Sequence, residues 1–443
     1  MNEMKRSIFL IAAGWLTLAG NAWAQKAWTL DDCIGYAMEH NIPLQEAKLK
    51  AQSAEEDVKG AKGSLLPTLS ASTNHSVGYT PWASSSSAGN VTVDKAYYSG
   101  SYGLNAQWTL WNGNRNTNTV KMNKMTHEQS VLQEQITANS IQEEIAQLYI
   151  QILYLTEAAK VSEQSLETSK KNEERGQQML ELGKMSKADV AQLSAQRATD
   201  EYNIVEMRAN IAKYTLQLKQ ILELEVHEAF SVATPDVSDD QALAAIPALD
   251  EVFSQALATR PEIKSLDIDI ESSQLSTKMQ RAAYLPTLSM TGGVGTSTSS
   301  RSNDNFGSQL KTNFDMSAGL TLSVPIFDGR QTKTAVRKAR LQEEFAKIER
   351  IHAEDDLYRT VEEYWLDAET NQQKFRAAQA TEISEQHSYD LLQEQFQLGL
   401  KNIIELMTGK DKLLTAQQNK LQSKYQTLLA QQMLRFYSTG TLK

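Results

Sequence analysis

Two kinds of hydrophobic pattern alternate along this chain. The first has a period of two. From Tyr98 to Leu110 the even positions are Tyr98, Gly100, Tyr102, Leu104, Ala106, Trp108 and Leu110, and the odd ones are small or polar, from Ser99 and Ser101 to Asn105, Gln107 and Thr109. Phe314 to Ile326 repeats the scheme, with Phe314, Met316, Ala318, Leu320, Leu322, Val324 and Ile326 set against Asp315, Ser317, Gly319, Thr321 and Ser323. Leu69, Ala71, Thr73, Val77 and Tyr79 share one side of a third segment, interrupted by His75, and Leu288, Met290 and Val294 begin a glycine-rich fourth. Such alternation predicts strands with two unlike faces. The second pattern alternates steps of four and three. Ile141, Ile145, Leu148, Ile152, Leu155, Ala159 and Leu166 follow it, with Ser162 in the gap, inside a run from Arg115 to Glu181 that holds no proline and one glycine. Leu357, Val361, Tyr364, Ala368, Phe375 and Ala378 do the same inside Arg330–Gln397, which has neither. Return segments carry Ile204, Met207, Ile211, Tyr214, Leu218 and Ile221, then Leu414, Leu421, Tyr425 and Leu428. These are heptad seams of paired helices. At about 1.5 Å per residue each long helix spans roughly 100 Å, too long for the inside of a compact domain.

The landmarks recur in order. Leu66-Pro67-Thr68-Leu69-Ser70 returns unchanged as Leu285-Pro286-Thr287-Leu288-Ser289, Trp111-Asn112-Gly113 matches Phe327-Asp328-Gly329, and Leu182-Gly183 matches Leu398-Gly399. The chain is a tandem duplication. Each long helix and its partner are joined by a matched turn, Leu182-Gly183-Lys184-Met185-Ser186-Lys187-Ala188-Asp189 against Leu398-Gly399-Leu400-Lys401-Asn402-Ile403-Ile404-Glu405. Glycine takes the left-handed conformation that ends the first helix. Ser186 and Asn402 are N-caps, with Asp189 and Glu405 three residues later as in a capping box.

The N-terminus sets the compartment. Lys5 and Arg6, the apolar stretch to Gly20 and Ala22-Trp23-Ala24 form a secretory signal peptide, residues 1–24. The net charge of −10 argues against a nucleic-acid partner, and the single cysteine, Cys33, excludes a disulfide framework. Strands of some 12 residues at about 3.3 Å each, tilted, cross the apolar slab of an outer membrane. The loops Ala83–Ala96 and Ser299–Thr312 are polar, as extracellular loops are. Four strands cannot close into a barrel, and an open edge has no water to bond in lipid. Two copies would give eight strands around a filled interior, and three give twelve around an aqueous lumen. The alternation places Tyr98, Tyr102, Leu104, Trp108 and Leu320 toward lipid and Ser101, Asn105, Gln107 and Thr321 toward the lumen. The expected organisation is helices in 25–65, a β-hairpin in 66–112, a helical hairpin in 113–222 with its tip near 183, a linker in 223–247, helices in 248–284, a second β-hairpin in 285–328, a second helical hairpin in 329–437 with its tip near 399, and a tail in 438–443.

The signal peptide, the duplicated Leu-Pro-Thr-Leu-Ser, the aromatic-(Asn/Asp)-Gly junctions and the paired Leu-Gly tips resemble the TolC-like outer-membrane efflux protein family, over Trp28 to about Tyr437. That resemblance implies an α+β membrane protein: a homotrimer whose 12-stranded transmembrane β-barrel, four strands per chain, continues into a long periplasmic α-helical barrel. Residues 223–247 and the C-terminus would form an equatorial region. The implied partners, besides outer-membrane lipid, are a periplasmic adaptor (membrane fusion) protein and an inner-membrane pump of RND, ABC or MFS type, in tripartite efflux or type I secretion. The implied home is the outer membrane of a Gram-negative bacterium. Carried over, Leu182, Gly183, Leu398 and Gly399 meet the adaptor, with Lys184 and Leu400 beside them. The family's periplasmic gate falls on Glu405 as an acidic ring, with Lys401 at the basic position and Asp189 as its acidic partner. Thr408 stands where some members carry a second acid, and Phe396 where a tyrosine occurs. Glu405 and Asp189 also read simply as capping-box acids. No cofactor, metal or catalysis is implied, and the six scattered histidines and the lack of a Gly-x-Ser-x-Gly or phosphate-binding loop agree. Two rival classes stand against this. A structural trimeric coiled-coil surface protein would carry strands only at its C-terminus. An exported enzyme would need a compact core and a carboxylate, serine or metal cluster.

Overall fold

The computed structural model describes residues 27–81, 95–225, 229–235 and 237–442; the signal segment and most of the Ala83–Ala96 loop lie outside them. In chain order the elements are α1 (Leu30–His40), α2 (Ile42–Gly63), β1 (Thr68–Tyr79), β2 (Ala96–Trp111), α3 (Arg115–Glu181), α4 (Lys187–Ile221), α5 (Asp239–Ala242), α6 (Leu249–Thr259), α7 (Pro261–Arg281), a 3-10 turn (Ala282–Tyr284), β3 (Thr287–Ser299), α8 (Phe306–Thr312), β4 (Asp315–Ser323), α9 (Gln331–Gln397) and α10 (Ile403–Thr439). The long helices α3 and α9 have 67 residues each. The chain forms two compact units, one of residues 46–136 and 261–355, the other of residues up to 45, 137–260 and 356–443.

The first unit holds the strands. They make one antiparallel sheet in the order β1-β2-β3-β4. The two hairpins, far apart in sequence, are joined through β2 and β3. The register aligns like with like. Ala71, Leu104, Val294 and Met316 form one cross-strand row, and Ser70, Asn105, Gly293 and Ser317 form the next. With a side-chain period of two, this puts the paired apolar positions from Tyr98 to Trp108, with their partners on β1, β3 and β4, on one face. An ideal Cβ on Gly100 would meet the Tyr98 and Tyr102 hydroxyls and Thr298 Oγ1, while one on Gly293 would meet Asn105 Oδ1 and Ser317 Oγ, so the faces are distinct. The apolar face lies bare: Val77, Met316, Leu320 and Leu322 are all well exposed.

Three details correct the pattern. A register shift between Thr109 and Trp111 sets Trp111, and not Leu110, opposite Leu288. An extra residue in one strand reverses parity beyond it, so Leu110 leaves the apolar row. β4 ends at Ser323 and begins at Asp315, which leaves out Phe314, Val324 and Ile326. Pro325 has no N–H to continue the ladder. The second loop also contains a helix, α8, capped by Asn305 accepting from the Ser308 backbone N–H.

Both strand-to-helix junctions share one turn. Gly113 and Asn114 are left-handed at φ 67° and 63°, as are Gly329 and Arg330 at 61° and 70°. Asn112 Oδ1 then accepts from the Asn116 backbone N–H at 3.2 Å, and Asp328 Oδ2 from that of Thr332 at 2.7 Å. The repeated aromatic-(Asn/Asp)-Gly thus places a side-chain acceptor for a first-turn N–H ahead of a left-handed reversal that few residues tolerate.

The second unit is helical. Ile141, Ile145, Ile152, Tyr149 and Leu153 of α3 pack with Cys33, Ala37, Leu218 and Tyr425 in one core, and Val361 and Ala368 of α9 pack with Val252, Ala256, Met433 and Phe436 in another. The seam residues are buried because antiparallel helices offer only that stripe to each other. The linker is clasped. Lys424 Nζ donates to the Val237 carbonyl at 2.5 Å and to Asp239 at 2.8 Å, and Lys420 lies 3.5 Å from the same carboxylate. Gln372 donates to the carbonyls of Ala242 and Ala244, at 3.0 and 2.8 Å.

Candidate functional site at the helical hairpin tips

Two turns with the same backbone end the long helices. Gly183 has φ 68° and Gly399 φ 76°. At the first, the Gly183 N–H reaches the Leu180 carbonyl at 2.9 Å and the Lys184 N–H that of Met179 at 2.8 Å. At the second, Gly399 N–H bonds Phe396 and Leu400 N–H bonds Gln395, at 3.0 and 2.9 Å. The 5→2 and 6→1 bonds of a Schellman motif are present in both. Nothing lies within 4 Å of where a Cβ would stand on either glycine. The left-handed backbone, and not crowding, therefore calls for glycine. Leu182, Leu398 and Leu400 are 70%, 74% and 71% exposed, so each tip carries bare leucine on a rigid turn.

The returning helices start on full capping boxes. Asp189 N–H donates to Ser186 Oγ at 3.1 Å, and Ser186 N–H to Asp189 Oδ2 at 3.3 Å. Glu405 N–H donates to Asn402 Oδ1 at 2.9 Å, and Asn402 N–H to Glu405 Oε2 at 3.2 Å. Lys401 Nζ lies 2.7 Å from Glu405 Oε1. Donation from Lys401, then from the Asn402 N–H, holds the Glu405 carboxyl below the ordinary glutamate range. The structure thus brings Lys401 to Glu405 within its own turn, and gives Asp189 to Ser186. Phe396 is buried with Tyr389, Ile403, Leu406, Leu413 and Leu193 just behind the second tip.

A buried polar group behind the tips was not singled out from the sequence. Lys410 Nζ donates to Asp200 Oδ2 and, at 2.6 Å, to Ser169 Oγ, which itself donates to Asp200 Oδ2 at 2.5 Å. All three residues are at most 5% exposed. Gln196 joins the Asp200 carboxylate at 3.2 Å to that of Asp411 at 3.1 Å. Burial raises the Asp411 carboxyl, against the pull of Lys410. The signal lay in the seams: Lys410 interrupts Ile403, Leu406 and Leu413, Asp200 precedes Ile204 and Met207 at the same spacing, and Ser169 follows Ser162 and Leu166. A charge on an apolar stripe marks a buried partner.

No group of three or more His, Cys, Asp or Glu among the described residues is placed to hold a metal ion. Among them, no helix is long and apolar enough to cross a membrane. What the tips offer is two equivalent leucine knobs, and what the sheet offers is one bare apolar face.

Known proteins share this arrangement. The chain is 21% identical over 412 residues, 91% of its length and 83% of the relative's, to the outer membrane efflux protein BepC of Brucella suis. It is 21% identical over 405 residues to the toxin and drug export protein A of Aggregatibacter actinomycetemcomitans, covering 91% of this chain and 84% of that one. The crystal structure of CusC, described as forming a transmembrane channel, superposes with a TM-score of 0.80 at 17% identity, over 95% of both chains. The profile of the outer membrane efflux protein family matches twice, at residues 33–223 and 252–440, once for each repeat. With both halves matched and the fold of TolC-like channels in hand, the chain belongs to the outer membrane efflux protein family and is an outer-membrane protein.

Proposed function

We propose that this protein is the outer-membrane channel-tunnel of a tripartite efflux or type I secretion system, a passive duct for substrates delivered by an inner-membrane pump through a periplasmic adaptor. One observation carries the reading most of the way. The sheet presents an apolar face to its surroundings and leaves β1 and β4 each with one partner strand among the described residues. In lipid those edges must be paired, and a second and third copy of the same sheet pair them and close a barrel around the polar rows. Along β2 the apolar row runs from Tyr98 to Trp108, ten residues. At about 3.3 Å per residue and a tilt near 40°, that is roughly 25 Å, the height of the apolar band between two aromatic girdles. Trp108 is anchored at its end by donating to the Leu65 carbonyl at 2.9 Å.

The tips supply the docking end. Two exposed leucine turns per chain make six in a trimer, and a helical adaptor can seat its own hairpins on them. Glu405 is the gate residue in this reading. Three copies converge a ring of carboxylates that their own Lys401 and Asn402 keep ionised, and Asp189 and Lys401 flank it. The resemblance of this chain to a toxin and drug export protein supports a bulky or varied cargo, and the duct itself catalyses nothing. Purified protein in planar bilayers tests this: stepwise cation-selective conductance is expected, and trimeric protein that never conducts would refute it in favour of a structural surface protein.

A further inference from the structure

The two repeats are alike enough to pair wrongly. Each contributes a hairpin with the same seam, tip and cap, so a ring of six hairpins, the assembly proposed above, needs something that tells first from second. Only alternation of the two kinds around the ring is compatible with three-fold symmetry.

The contact between hairpins inside one chain is polar where a heptad seam should be apolar. From the first repeat come Ser169 of α3 and Asp200 of α4, and from the second comes Lys410 of α10. One heptad further from the tip, Gln418 Nε2 of α10 meets Ser162 Oγ of α3 at 3.4 Å. The repeats are offset by 216 residues here, as Gly183 and Gly399 show, so the counterparts of Ser169, Asp200 and Lys410 are Glu385, Ala416 and Ser194. None matches its mate. A first-repeat hairpin set against another first-repeat hairpin would seat Asp200 opposite Ser194, a buried carboxylate with no cation. The reverse mistake would seat Lys410 between Glu385 and Ala416. That one is tolerable alone, but in a closed ring of three chains every second-with-second contact forces a first-with-first contact, and the Asp200 penalty falls on the ring.

We propose that the buried Ser169–Asp200–Lys410 group is a partner-selection device, which makes unlike repeat hairpins pair and so orders the six hairpins of the assembled channel. A buried ion pair adds little net stability over apolar residues of similar size, while an unpartnered buried charge is costly. Polar residues at seam positions commonly fix partner and register in coiled coils at a cost in stability.

The test uses the full chain with Cys33→Ala and the reporter pair Ser162→Cys with Gln418→Cys, which face each other one heptad from the group. A short bis-maleimide, which spans the reach of the Gln418 side chain, should link the two within a single chain. Asp200→Leu with Lys410→Met removes both charges and leaves Ser169 free to bond back to its own helix. This double variant should still form trimers, with the within-chain cross-link reduced by about tenfold or more and no 162–418 link between chains in its place, because like-with-like contacts set position 162 opposite Tyr202 and position 418 opposite Ala378. Asp200→Lys with Lys410→Asp, which restores complementarity, should bring the within-chain link back. A double apolar variant that cross-links like its parent overturns the proposal. So does one that forms no trimer, since the pair would then supply stability and not choice. A parent that forms no trimer brings down the assembly reading itself, and is told apart because it carries no change at 200 or 410.

Discussion

Arginine at position 104 probes the sheet most directly. Leu104 sits in the row Ala71–Leu104–Val294–Met316, six residues from Tyr98 and four from Trp108. At about 3.3 Å per residue and a tilt near 40°, it lies roughly 15 Å from one girdle and 10 Å from the other, close to mid-depth. An arginine there costs about 2–4 kcal/mol per chain, a shift of about 30- to 700-fold in the folding equilibrium. Position 105 is its neighbour and faces the other way. Asn105 shares its row with Ser70, Gly293 and Ser317, whose small side chains leave room for a guanidinium to reach lumenal water. Asn105→Arg should cost well under 1 kcal/mol, within the usual range for a surface change. The assay is the yield of heat-resistant trimer in outer-membrane fractions, followed by urea unfolding in lipid vesicles. Equal loss for Leu104→Arg and Asn105→Arg would refute the assignment of faces, and a greater loss for Asn105→Arg would reverse it.

Three further outcomes follow from the tips and the linker. Gly183→Pro or Gly399→Pro removes a turn N–H and cannot adopt the positive φ, so export should fail while trimers still reach the outer membrane; export that survives both changes would place adaptor docking elsewhere. Because the Glu405 carboxyl is held below its ordinary range, cation selectivity and block by multivalent cations from the periplasmic side should persist as the pH falls to about 5, and Glu405→Gln, which retains the cap, should abolish both in bilayer recordings. Burial alone would raise the Asp239 carboxyl, but Lys424 and then Lys420 outweigh it and hold it low. A depressed folded value means that the stabilisation is complete above the unfolded pKa, near 3.9, and is lost as the pH falls below it. With the side chain 35% exposed, the effect is about 1 kcal/mol or less after solvent screening. Hydrogen-exchange protection of the 237–244 amides should drop below about pH 4, and Asp239→Asn should remove that pH dependence.

Local rules made much of this protein legible. The limits of α3 coincide with the proline-free run from Arg115 to Glu181, because a helix continues until a residue stops it and Gly183 supplies the stop. The tips were readable for the same reason: a left-handed glycine and a capping box act over eight residues. The strand faces were readable because alternation is set by the pleat. The relation between elements far apart in sequence was decided only in three dimensions. Nothing near Ser99 states that it pairs with Ser299, and only that pairing joins the two hairpins into one sheet. The shift at Thr109–Trp111 arises where two particular strands meet, so the parity of Leu110 could not be known from its own segment. The charged residues of the tips show the same limit at short range. Within one chain Lys401 meets Glu405 on the next turn and Asp189 meets Ser186, a choice that neither turn states in its own sequence. The buried group is the extreme case. Ser169, Asp200 and Lys410 each stand on the seam of their own helix, and a seam position says that a side chain points inward. Which side chain it meets depends on how helices 31 to 241 residues apart are laid against one another, and that is settled by burial of charge with charge.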